Sequence, residues 1–354
     1  MTNYHIAMRK FQLIIMMFLV VGVAKAQRTF SVYGIGFYNL ENLFDTTHDE
    51  GKNDYEFLPE GTYKWNEMKY SNKLHNMSTV LAEMGTDVLP DVGCAVIGVS
   101  EVENAHCLTD LVGKPALKAR NFRFEHIEGP DQRGIDCALL YNPSLFQVTD
   151  RRLVEYSYDL PADSGKQTRG FLTVSGRLAG EDVAFIVCHW PSRRAASYYR
   201  EVAGRQVRLV KDSILKANPA TKVFVMGDLN DNPTNKSVYE ALGAKAKAIE
   251  VAEGEMFNPW HEFLTQKGVG TLRWDGKWDL FDQIIITPNL VGKKGDKNYE
   301  QLTYWKAQIF QRDYLLQTEG KYKGNPKRTT AGGVWLNGYS DHLPVVAYFV
   351  KQQK

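Results

Sequence analysis

Short apolar runs that each end in polar side chains recur along this chain, and they constrain its fold more than any other feature. The most informative run covers residues 223–226, which have the length and composition of a buried strand. Gly227 follows it, and Asp228 and Asn230 come next, two positions apart. Because side chains alternate along an extended chain, this spacing places the carboxylate and the carboxamide on one face. The carboxyl ends of strands are where α/β sheets build their sites, so the run predicts a functional site at a sheet edge.

The same arrangement occurs at several other places. Apolar runs lead to, or carry, the polar residues Asn39, Glu101, His189 and Asp282, and the adjacent Asp341 and His342. Taken singly, each has an ordinary structural explanation. Asp228 and Asn230 are suited to capping a turn, and a lone histidine after a core strand is more often structural. Their repeated placement at strand ends favours a catalytic site.

The order of the predicted elements indicates an α/β chain with mixed sheets. Helical spacing of apolar residues predicts helices over residues 65–84 and 194–217. Several strands follow one another with no helix between them, such as those at residues 122–127 and 133–143. This pattern favours mixed sheets with helices outside over a purely parallel sheet. No linker or repeat divides the chain, so we expect a single domain over residues 27–354.

The N-terminal residues have the layout of a secretory signal peptide. Arg9 and Lys10 precede an apolar run over residues 11–24, and a small-x-small site ends at Ala26. The run is shorter than the ~20 residues that a spanning helix needs. We therefore expect a signal peptide at residues 1–26, export to the periplasm or the medium, and no stable membrane anchor.

The charge balance of the mature chain limits the classes of partner. Without the signal peptide the chain has 40 basic and 41 acidic residues, a net charge of −1. A near-neutral chain lacks the overall basic surface of a dedicated nucleic-acid-binding protein. This weakens the case for a nucleic-acid substrate without removing it, since local Lys and Arg side chains can still follow a phosphate backbone.

Cysteine is sparse for an exported chain of this length. Two of the four cysteines, Cys137 and Cys188, lie within apolar runs and are expected to be small buried residues. Cys94 and Cys107 could form a disulfide in an oxidising compartment.

Seven strings, taken in order, carry a family resemblance. They are FYNLEN, VIGVSEVEN, RGIDCALLYNP, CHWPSRR, VMGDLNDNP, FDQIII and GYSDHLPV, and they span residues 30–350. GDLN and SDHLPV, about 110 residues apart with an aspartate-bearing strand between them, form the specific part. In these strings the chain resembles the endonuclease/exonuclease/phosphatase superfamily, with its deoxyribonuclease I-like fold, and HWPSRR resembles secreted bacterial members. The resemblance implies an α/β four-layer sandwich, two packed mixed β-sheets flanked by helices, and divalent-metal-dependent hydrolysis of phosphate esters.

The resemblance also implies a metal site. Glu101 matches the metal-binding glutamate, Asn39 matches the asparagine beside it, and Asp341 matches a carboxylate often counted as a second ligand. Hard oxygen ligands suit Mg²⁺ or Mn²⁺, with Ca²⁺ as a further possibility, and differ from the Cys and His ligands of zinc sites. We therefore expect Mg²⁺ or Mn²⁺ as the cofactor.

Five matched residues are expected to carry the chemistry. His342 matches the catalytic histidine, and Asp282 matches the carboxylate that orients it. A histidine held by a carboxylate can act as a general base near neutral pH. Asp228 and Asn230 match the pair that handles the nucleophile and the scissile phosphate. His189 matches a histidine that contacts the phosphate or acts as an acid.

Substrate binding is assigned to residues in the same strings. Arg133, Arg193 and Arg194 are expected to bind phosphate, since a guanidinium can fork onto two oxygens. Tyr141, in the string that begins at Arg133, is assigned with them. Arg193 and Arg194 also fit a solvated helix start. Gln283 departs from the family, where an aromatic residue is common, and is expected to alter substrate contacts.

These observations leave more than one function open. The first is a nuclease that cleaves phosphodiesters of nucleic acid, acting as a monomer. The alternative is a phosphatase or phosphodiesterase for lipid, inositol or other small phosphate esters, which exposed aromatic loops around Phe257, Trp260 and Trp274 would favour. A binding module without catalysis would lack at least one of the key residues, and the chain has all of them.

Overall fold

The computed structural model describes residues 29–158, 163, 168–292 and 299–353. The predicted signal peptide lies outside the described residues, as do parts of the loops predicted at residues 159–166 and 291–300. Across the described ranges, no helix combines the length and the apolar composition needed to cross a bilayer.

The elements alternate in the manner that the sequence pattern predicts. In chain order the strands are β1 (Phe30–Leu43), β2 (Cys94–Val102), β3 (Arg123–His126), β4 (Asp136–Tyr141), β5 (Phe146–Val154), β6 (Phe171–Leu178), β7 (Glu181–His189), β8 (Lys222–Asp228), β9 (Ala244–Lys245), β10 (Met256–Phe257), β11 (Leu272–Trp274), β12 (Lys277–Asp279), β13 (Asp282–Ile286), β14 (Thr303–Ile309), β15 (Thr330–Ala331), β16 (Val334–Trp335) and β17 (Val345–Gln352). The α-helices are α1 (Glu67–Glu83), α2 (Ala105–Gly113), α3 (Pro115–Lys118), α4 (Ser197–Ala217) and α5 (His261–Thr265), and a π-helical turn covers Ser237–Leu242.

The first large sheet has the strand order β14-β17-β1-β2-β4-β3. β1 and β2 run parallel, with Asn39 opposite Ser100, whereas β17 and β4 run antiparallel to their neighbours. Parallel neighbours end at the same edge of a sheet. The residues that follow β1 and β2 therefore meet at one edge.

The second large sheet has the strand order β5-β6-β7-β8-β13-β10-β9. β7 and β8 run parallel, with His189 opposite Asp228, and β13 runs antiparallel to β8, with Asp282 also opposite Asp228. This register collects three of the predicted catalytic side chains at one end of the sheet.

Four layers of packing hold these elements together. The two sheets face each other across a core that includes Phe37, Phe185, Phe224 and Phe349. The outer face of the first sheet packs on α1 and α2, and the outer face of the second packs on α4. The predicted fold class, two mixed sheets flanked by helices, is confirmed.

Helix α1 shows how local sequence sets an outer layer. Asn66 caps its start, accepting a hydrogen bond from the backbone N–H of Lys69 at 3.1 Å. Leu74, Met77 and Leu81 recur at helical spacing and are buried against the first sheet. Burying each such side chain stabilises the fold by roughly 1.5–3 kcal/mol.

A buried lysine ties α1 to the segment before β17. Lys73 is 1% exposed, and its ammonium donates to Thr329 Oγ1 and, at 2.6 Å, to the carbonyl of Tyr339. The segment so anchored carries Asp341 and His342. Lys73 therefore fixes one wall of the predicted site from the far side of a sheet.

Replacing Lys73 by methionine is expected to reduce the free energy of unfolding by about 2–3 kcal/mol, because buried acceptors lose their donor. Urea unfolding followed by circular dichroism measures the change. Lys118→Met on exposed α3 is the control and should shift stability by no more than about 0.5 kcal/mol. Equal effects of the two substitutions would contradict the anchoring role.

The structure corrects the proposed cysteine pair. All four cysteines are free and buried. Cys94 lies in β2, whereas Cys107 lies in α2 with its Sγ 3.7 Å from Glu103 Oε2. Burial raises the pKa of both thiols, which is the behaviour of inert structural cysteines.

The segment over residues 250–278 is more regular than the sequence suggests. It holds β10, α5 and the β11–β12 hairpin. Trp260, expected in an exposed loop, is fully buried, and its indole N–H donates to the carbonyl of Ile284 at 3.0 Å. Trp274 is 72% exposed near the turn of the hairpin. The aromatic residues of this segment therefore do not form one exposed patch.

A group of carboxyl side chains is buried around Glu103, the residue that directly follows β2. Glu103 is 1% exposed, and its Oε2 accepts a hydrogen bond from the backbone N–H of Asp45 at 2.8 Å. Burial raises the pKa of Glu103 to about 8; the Asp45 N–H opposes this shift, and the nearby acids Asp45, Asp49 and Asp54 add to it. The side chain is therefore protonated in the folded protein at neutral pH.

The raised pKa of Glu103 predicts a loss of stability as pH rises. The folded state keeps a proton that the unfolded state releases near pH 4.5, so this contribution is complete below pH 4.5 and is lost as pH rises through about 8. Glu103→Gln keeps the neutral form and should stabilise the protein at pH 8.5, by at least ~1 kcal/mol relative to its effect at pH 4.5. Urea unfolding in EDTA at both pH values tests this, and an unchanged pH slope would count against it.

Candidate active site

Four polar side chains from the ends of parallel strands meet where the two sheets face each other. Asn39 is the last residue of β1 before its register with β2 shifts, Glu101 lies in β2, His189 ends β7 and Asp228 ends β8. The amide nitrogen of Asn39 donates to Glu101 Oε1 at 3.2 Å and to Asp228 Oδ2 at 3.0 Å. One carboxamide thus links the carboxylates of both sheets.

The backbone turns sharply at these strand ends. Glu101 has φ 60°, Asn42 has φ 58° and Asn230 has φ 50°, all in the left-handed region that costs a non-glycine residue energy. The Asn42 N–H donates to Glu101 Oε2 at 3.0 Å. The Asn230 N–H donates to Asp228 Oδ1 at 2.9 Å, and its amide nitrogen donates to the carbonyl of Trp190 at 3.0 Å. A tight turn, and not strand alternation, keeps Asn230 beside Asp228.

His342 forms a hydrogen-bonded pair with Asp282. Its Nδ1 lies 2.7 Å from Asp282 Oδ2, and its Nε2 lies 3.8 Å from Asp228 Oδ2. Both residues are buried, and the other oxygen of Asp282, Oδ1, has no hydrogen-bond partner among the described residues. The ring is therefore fixed with Nδ1–H toward Asp282 and Nε2 toward Asp228.

Burial and neighbouring charges both shift the pKa values of His342 and Asp228. Burial alone would lower the pKa of His342, but the carboxylates of Asp282 and Asp228 outweigh it and hold that pKa well above its ordinary value. Burial raises the pKa of Asp228 to about 7, with His342 opposing and Asp282 adding to the shift. Both shifts favour a proton on this pair, and His342 can act as a base only when its ring is neutral.

Arg169 is a site residue that sequence reasoning missed. Its Nη1 lies 2.9 Å from His189 Nδ1, and its Nε lies 3.1 Å from Asp131 Oδ2. Burial first, and then the positive charge of Arg169, holds the pKa of His189 well below its ordinary value. No motif marks Arg169; only the antiparallel pairing of β6 with β7, with Leu172 opposite Val187, brings it beside His189.

Asp341 lies between His342 and an arginine that was also missed. Its Oδ1 is 4.0 Å from His342 Nε2, and its Oδ2 is 3.0 Å from Arg328 Nη2. The Nε of Arg328 donates to Glu41 Oε1 at 3.1 Å, and Glu41 is buried. Burial raises the pKa of Glu41 to about 7, with the Asp341 carboxylate adding to the shift and Lys73 and Arg328 opposing it. Arg328 therefore orients Asp341 at the rim of the site.

These side chains open into a cleft of about 630 Å³. Besides the carboxylates and histidines, the lining includes Arg133, Arg169 and Arg194, and the aromatic residues Tyr55, Phe57 and Tyr63. No carboxylate contacts the guanidinium of Arg133 or of Arg194 among the described residues; that of Arg133 instead bonds the neutral side chain of Asn42. The cleft thus offers free cations beside the acid–base pair.

Two of the residues predicted to bind substrate fall outside this cleft. Tyr141 lies opposite Val96, at the far end of β4 from the site, and its hydroxyl donates to Glu125 at 3.0 Å. The guanidinium of Arg193 forms ion pairs with Asp279 at 3.1 Å and with Asp231 at 3.4 Å, so this side chain stabilises a loop.

Gln283, the departure from the family pattern, is also removed from the cleft. It is buried in β13, where its side chain accepts from Asn258 at 2.8 Å and donates to the carbonyl of Asp231 at 2.9 Å. It supports the loop after β8 and has no route to a substrate.

The donor set fits a divalent cation. Carboxylate oxygens of Glu101 and Asp228 lie within 4.8 Å of each other, and a ring nitrogen of His189 lies within the same distance of both. Within the described part of the chain, Glu101 forms no ion pair with a Lys or Arg side chain, so its carboxylate is available to a cation. The amide oxygen of Asn39 accepts a hydrogen bond from the Glu41 N–H at 2.8 Å. The amide nitrogen of Asn39 orients Glu101 and Asp228.

Solved structures share this architecture. An endonuclease/exonuclease/phosphatase family protein from Bacteroides thetaiotaomicron superposes with a TM-score of 0.55 and 14% identity, over 92% of this chain and 97% of that chain. A mannosyl-6-phosphatase from the same organism gives 0.55 and 14%, over 90% and 99%. D. rerio TDP2 complexed with single strand DNA product gives 0.51 and 14%, over 90% and 99%. At these identities the likeness shows the fold alone.

Sequence comparison gives the family directly. No curated protein sequence matches the chain. The model of the Endonuclease/Exonuclease/phosphatase family matches residues 34–351, which include every strand-end residue of the cleft. The chain therefore belongs to the endonuclease/exonuclease/phosphatase family, and it is a metal-dependent phosphoester hydrolase.

Proposed function

We propose that this hydrolase is a nuclease, which cleaves phosphodiester bonds of nucleic acid in the cleft beside His342. The observation that carries the proposal is an exposed aromatic ring in a cleft that is also lined by three arginines. Tyr55 stacks on His48 with ring centroids 4.6 Å apart, yet 57% of the residue is exposed. Nucleic-acid substrates combine phosphates, which arginine binds, with bases, which stack on aromatic rings.

The acid–base roles follow from the hydrogen bonds. Asp282 fixes the tautomer of His342, which leaves Nε2 as the atom that faces the cleft and can accept a proton from an attacking water. Asp228 lies within 3.8 Å of that nitrogen and can orient the same water. These two residues supply a positioned base for the nucleophile.

The charged residues have separate tasks around the phosphate. Glu101 and Asp228, with Asp341 beside them, would hold the divalent cation. When bound, the cation neutralises negative charge on the phosphoryl oxygens and polarises the ester. Arg133 and Arg194 can bind the remaining oxygens, because they have free donors in the cleft.

A phosphatase for small esters is the second candidate, and one observation favours it. Three arginines line a single cleft, which suits the higher charge of a phosphate monoester. The similar fold of a mannosyl-6-phosphatase supports the same possibility. Nicking of supercoiled plasmid and release of phosphate from small monoesters, each with Mg²⁺ or Mn²⁺, separate the two candidates. Metal-dependent nicking supports the nuclease; monoester hydrolysis without nicking would overturn it.

A substitution at Tyr55 tests the substrate class more closely. Tyr55→Ala is expected to raise KM for single-stranded DNA by about 10-fold, because stacking on one base contributes about 1–3 kcal/mol. KM for bis-p-nitrophenyl phosphate, which lacks a base, should change little. Tyr322→Ala, at a residue 61% exposed outside the cleft, is the control. Equal effects on both substrates would argue against base recognition.

The cellular location is also part of this proposal. The basic pair, apolar run and small-x-small site in residues 1–26 support export of a mature protein that begins at Gln27. Mass spectrometry of the protein recovered from the periplasm or medium would show that N-terminus. Recovery of an unprocessed chain from the cytoplasm would contradict the proposal.

A further inference from the structure

We propose that Arg169 is a positioning residue that holds His189 as a neutral ring with its proton on Nε2. Nothing in the sequence strings of the family assigns Arg169 a task. The inference rests on phosphoester hydrolysis in this cleft, and it holds for a nuclease or a phosphatase alike.

The first step is the direction of one hydrogen bond. Arg169 Nη1 lies 2.9 Å from His189 Nδ1. A guanidinium has five N–H donors and no acceptor, so Nδ1 of the histidine must be the acceptor. A neutral imidazole that accepts through Nδ1 has its hydrogen on Nε2. The arginine thus selects one tautomer of His189.

The second step is the fixed position of the arginine itself. Its side chain is only 14% exposed, and its Nε lies 3.1 Å from Asp131 Oδ2. The carboxylate of Asp131 also accepts the backbone N–H of Arg133 at 2.9 Å, and its carbonyl accepts from Lys52 Nζ at 3.3 Å. Asp131 therefore holds Arg169 from outside the cleft, and Arg169 holds His189.

The third step is where the histidine proton points. Nε2 of His189 lies 3.6 Å from Glu101 Oε1 and 3.7 Å from Asp228 Oδ2. These are the carboxylates that would hold the cation beside the scissile phosphate. An Nε2–H at this position donates a hydrogen bond to a phosphoryl oxygen and has no lone pair with which to act as a base.

The two histidines of the cleft therefore have opposite tautomers. In its neutral form His342 gives its Nδ1–H to Asp282, and its Nε2 is the acceptor. His189 accepts through Nδ1 from Arg169, and its Nε2 is the donor. The carboxylate partner of His342 makes that ring the proton acceptor. The guanidinium partner of His189 makes that ring the hydrogen-bond donor.

Histidine NMR tests the tautomer without any substrate. The full mature protein is labelled with ¹⁵N-histidine, and two-bond ¹H–¹⁵N correlations distinguish the tautomers; the signals of His189 are assigned by their absence in His189→Gln. We expect an Nε2–H ring in the wild type and in Arg169→Lys, which keeps a donor. Arg169→Met should give a mixture of tautomers. Arg194→Met, which removes a cleft cation that does not touch His189, should leave the tautomer unchanged.

Kinetics then separate positioning from simple charge. On any phosphoester that the enzyme hydrolyses, Arg169→Met should lower kcat by about 100-fold, as loss of one preorganised donor does, with partial recovery in Arg169→Lys. Arg194→Met should act mainly on KM. If Arg169→Met does not fold, as judged by circular dichroism, the Asp131→Asn variant is used in its place. That substitution removes the carboxylate charge that holds Arg169.

Several results would overturn the inference. An Nδ1–H ring in the wild type would do so, as would an unchanged tautomer and kcat in Arg169→Met. If the Arg169 and Arg194 variants behave equally, Arg169 contributes only its positive charge to the cleft. If plasmid is not nicked but the NMR result stands, the nuclease proposal fails while the role of Arg169 is retained.

Discussion

Replacing His342 by alanine is expected to lower kcat by about 10³-fold on every substrate of this enzyme, since a positioned general base contributes about 10²–10⁴-fold. His342 is the residue of the cleft whose two nitrogens both face carboxylates, Asp282 at 2.7 Å and Asp228 at 3.8 Å. No neighbouring group among the described residues can replace its Nε2 at that position, so the loss should appear in kcat and not in KM.

Asp282→Asn tests the assignment of His342 as the general base by changing the hydrogen-bond partner of its ring. The substitution keeps the shape of the side chain but allows its amide to donate to Nδ1, which would turn the ring to the wrong tautomer. We expect at least a 10²-fold loss of kcat with folding intact. His261→Ala, at a partly buried residue outside the cleft in α5, serves as the control and should leave kcat unchanged. Activity of His342→Ala near that of the wild type would contradict the assignment of the base.

Replacing Glu101 by glutamine is expected to weaken the binding of a divalent metal by more than about 100-fold. Loss of a residue that only hydrogen-bonds to a metal ligand costs about 10–100-fold, and Glu101 is assigned as a direct ligand. Its carboxylate is oriented by Asn39 at 3.2 Å and by the Asn42 N–H at 3.0 Å, so it is fixed in place before a cation arrives. Isothermal titration with Mn²⁺ measures the affinity, and hydrolysis at rising Mn²⁺ should show the matching shift.

Glu103→Gln is the matched control for this substitution. Glu103 lies two residues further along the same chain segment but is buried away from the cleft. It should therefore change the pH dependence of stability and leave the metal affinity unchanged. If the two variants bind Mn²⁺ equally well, Glu101 is not the ligand.

Much of the fold and of the site follows from the sequence because the key strands are short and buried on both faces. β8 is buried along its whole length, so its apolar run is unbroken and the residue that ends it, Asp228, stands out. His189 ends β7 for the same reason. The amino-acid order alone is therefore enough to place the residues that end such runs at a sheet edge.

The parts that escaped prediction depend on contacts between distant segments. Arg169 meets His189 only through the pairing of β6 with β7, and Arg328 meets Asp341 where Lys73 and Glu41 hold its segment. Neither arginine follows a recognisable run. Tyr141 was misplaced for a related reason: it shares a string with Arg133, yet β4 extends roughly 16 Å between its ends, since a strand rises about 3.3 Å per residue.

Hydrolysis of a phosphodiester after metal removal tests the central claim most directly. The mature protein is treated with EDTA, dialysed and assayed with bis-p-nitrophenyl phosphate and with supercoiled plasmid, before and after Mn²⁺ or Mg²⁺ is returned, beside His342→Ala. We expect that EDTA abolishes hydrolysis, that the cation restores it, and that His342→Ala stays inactive under both conditions. Hydrolysis that survives complete removal of the metal, or that returns equally in His342→Ala, would contradict the claim.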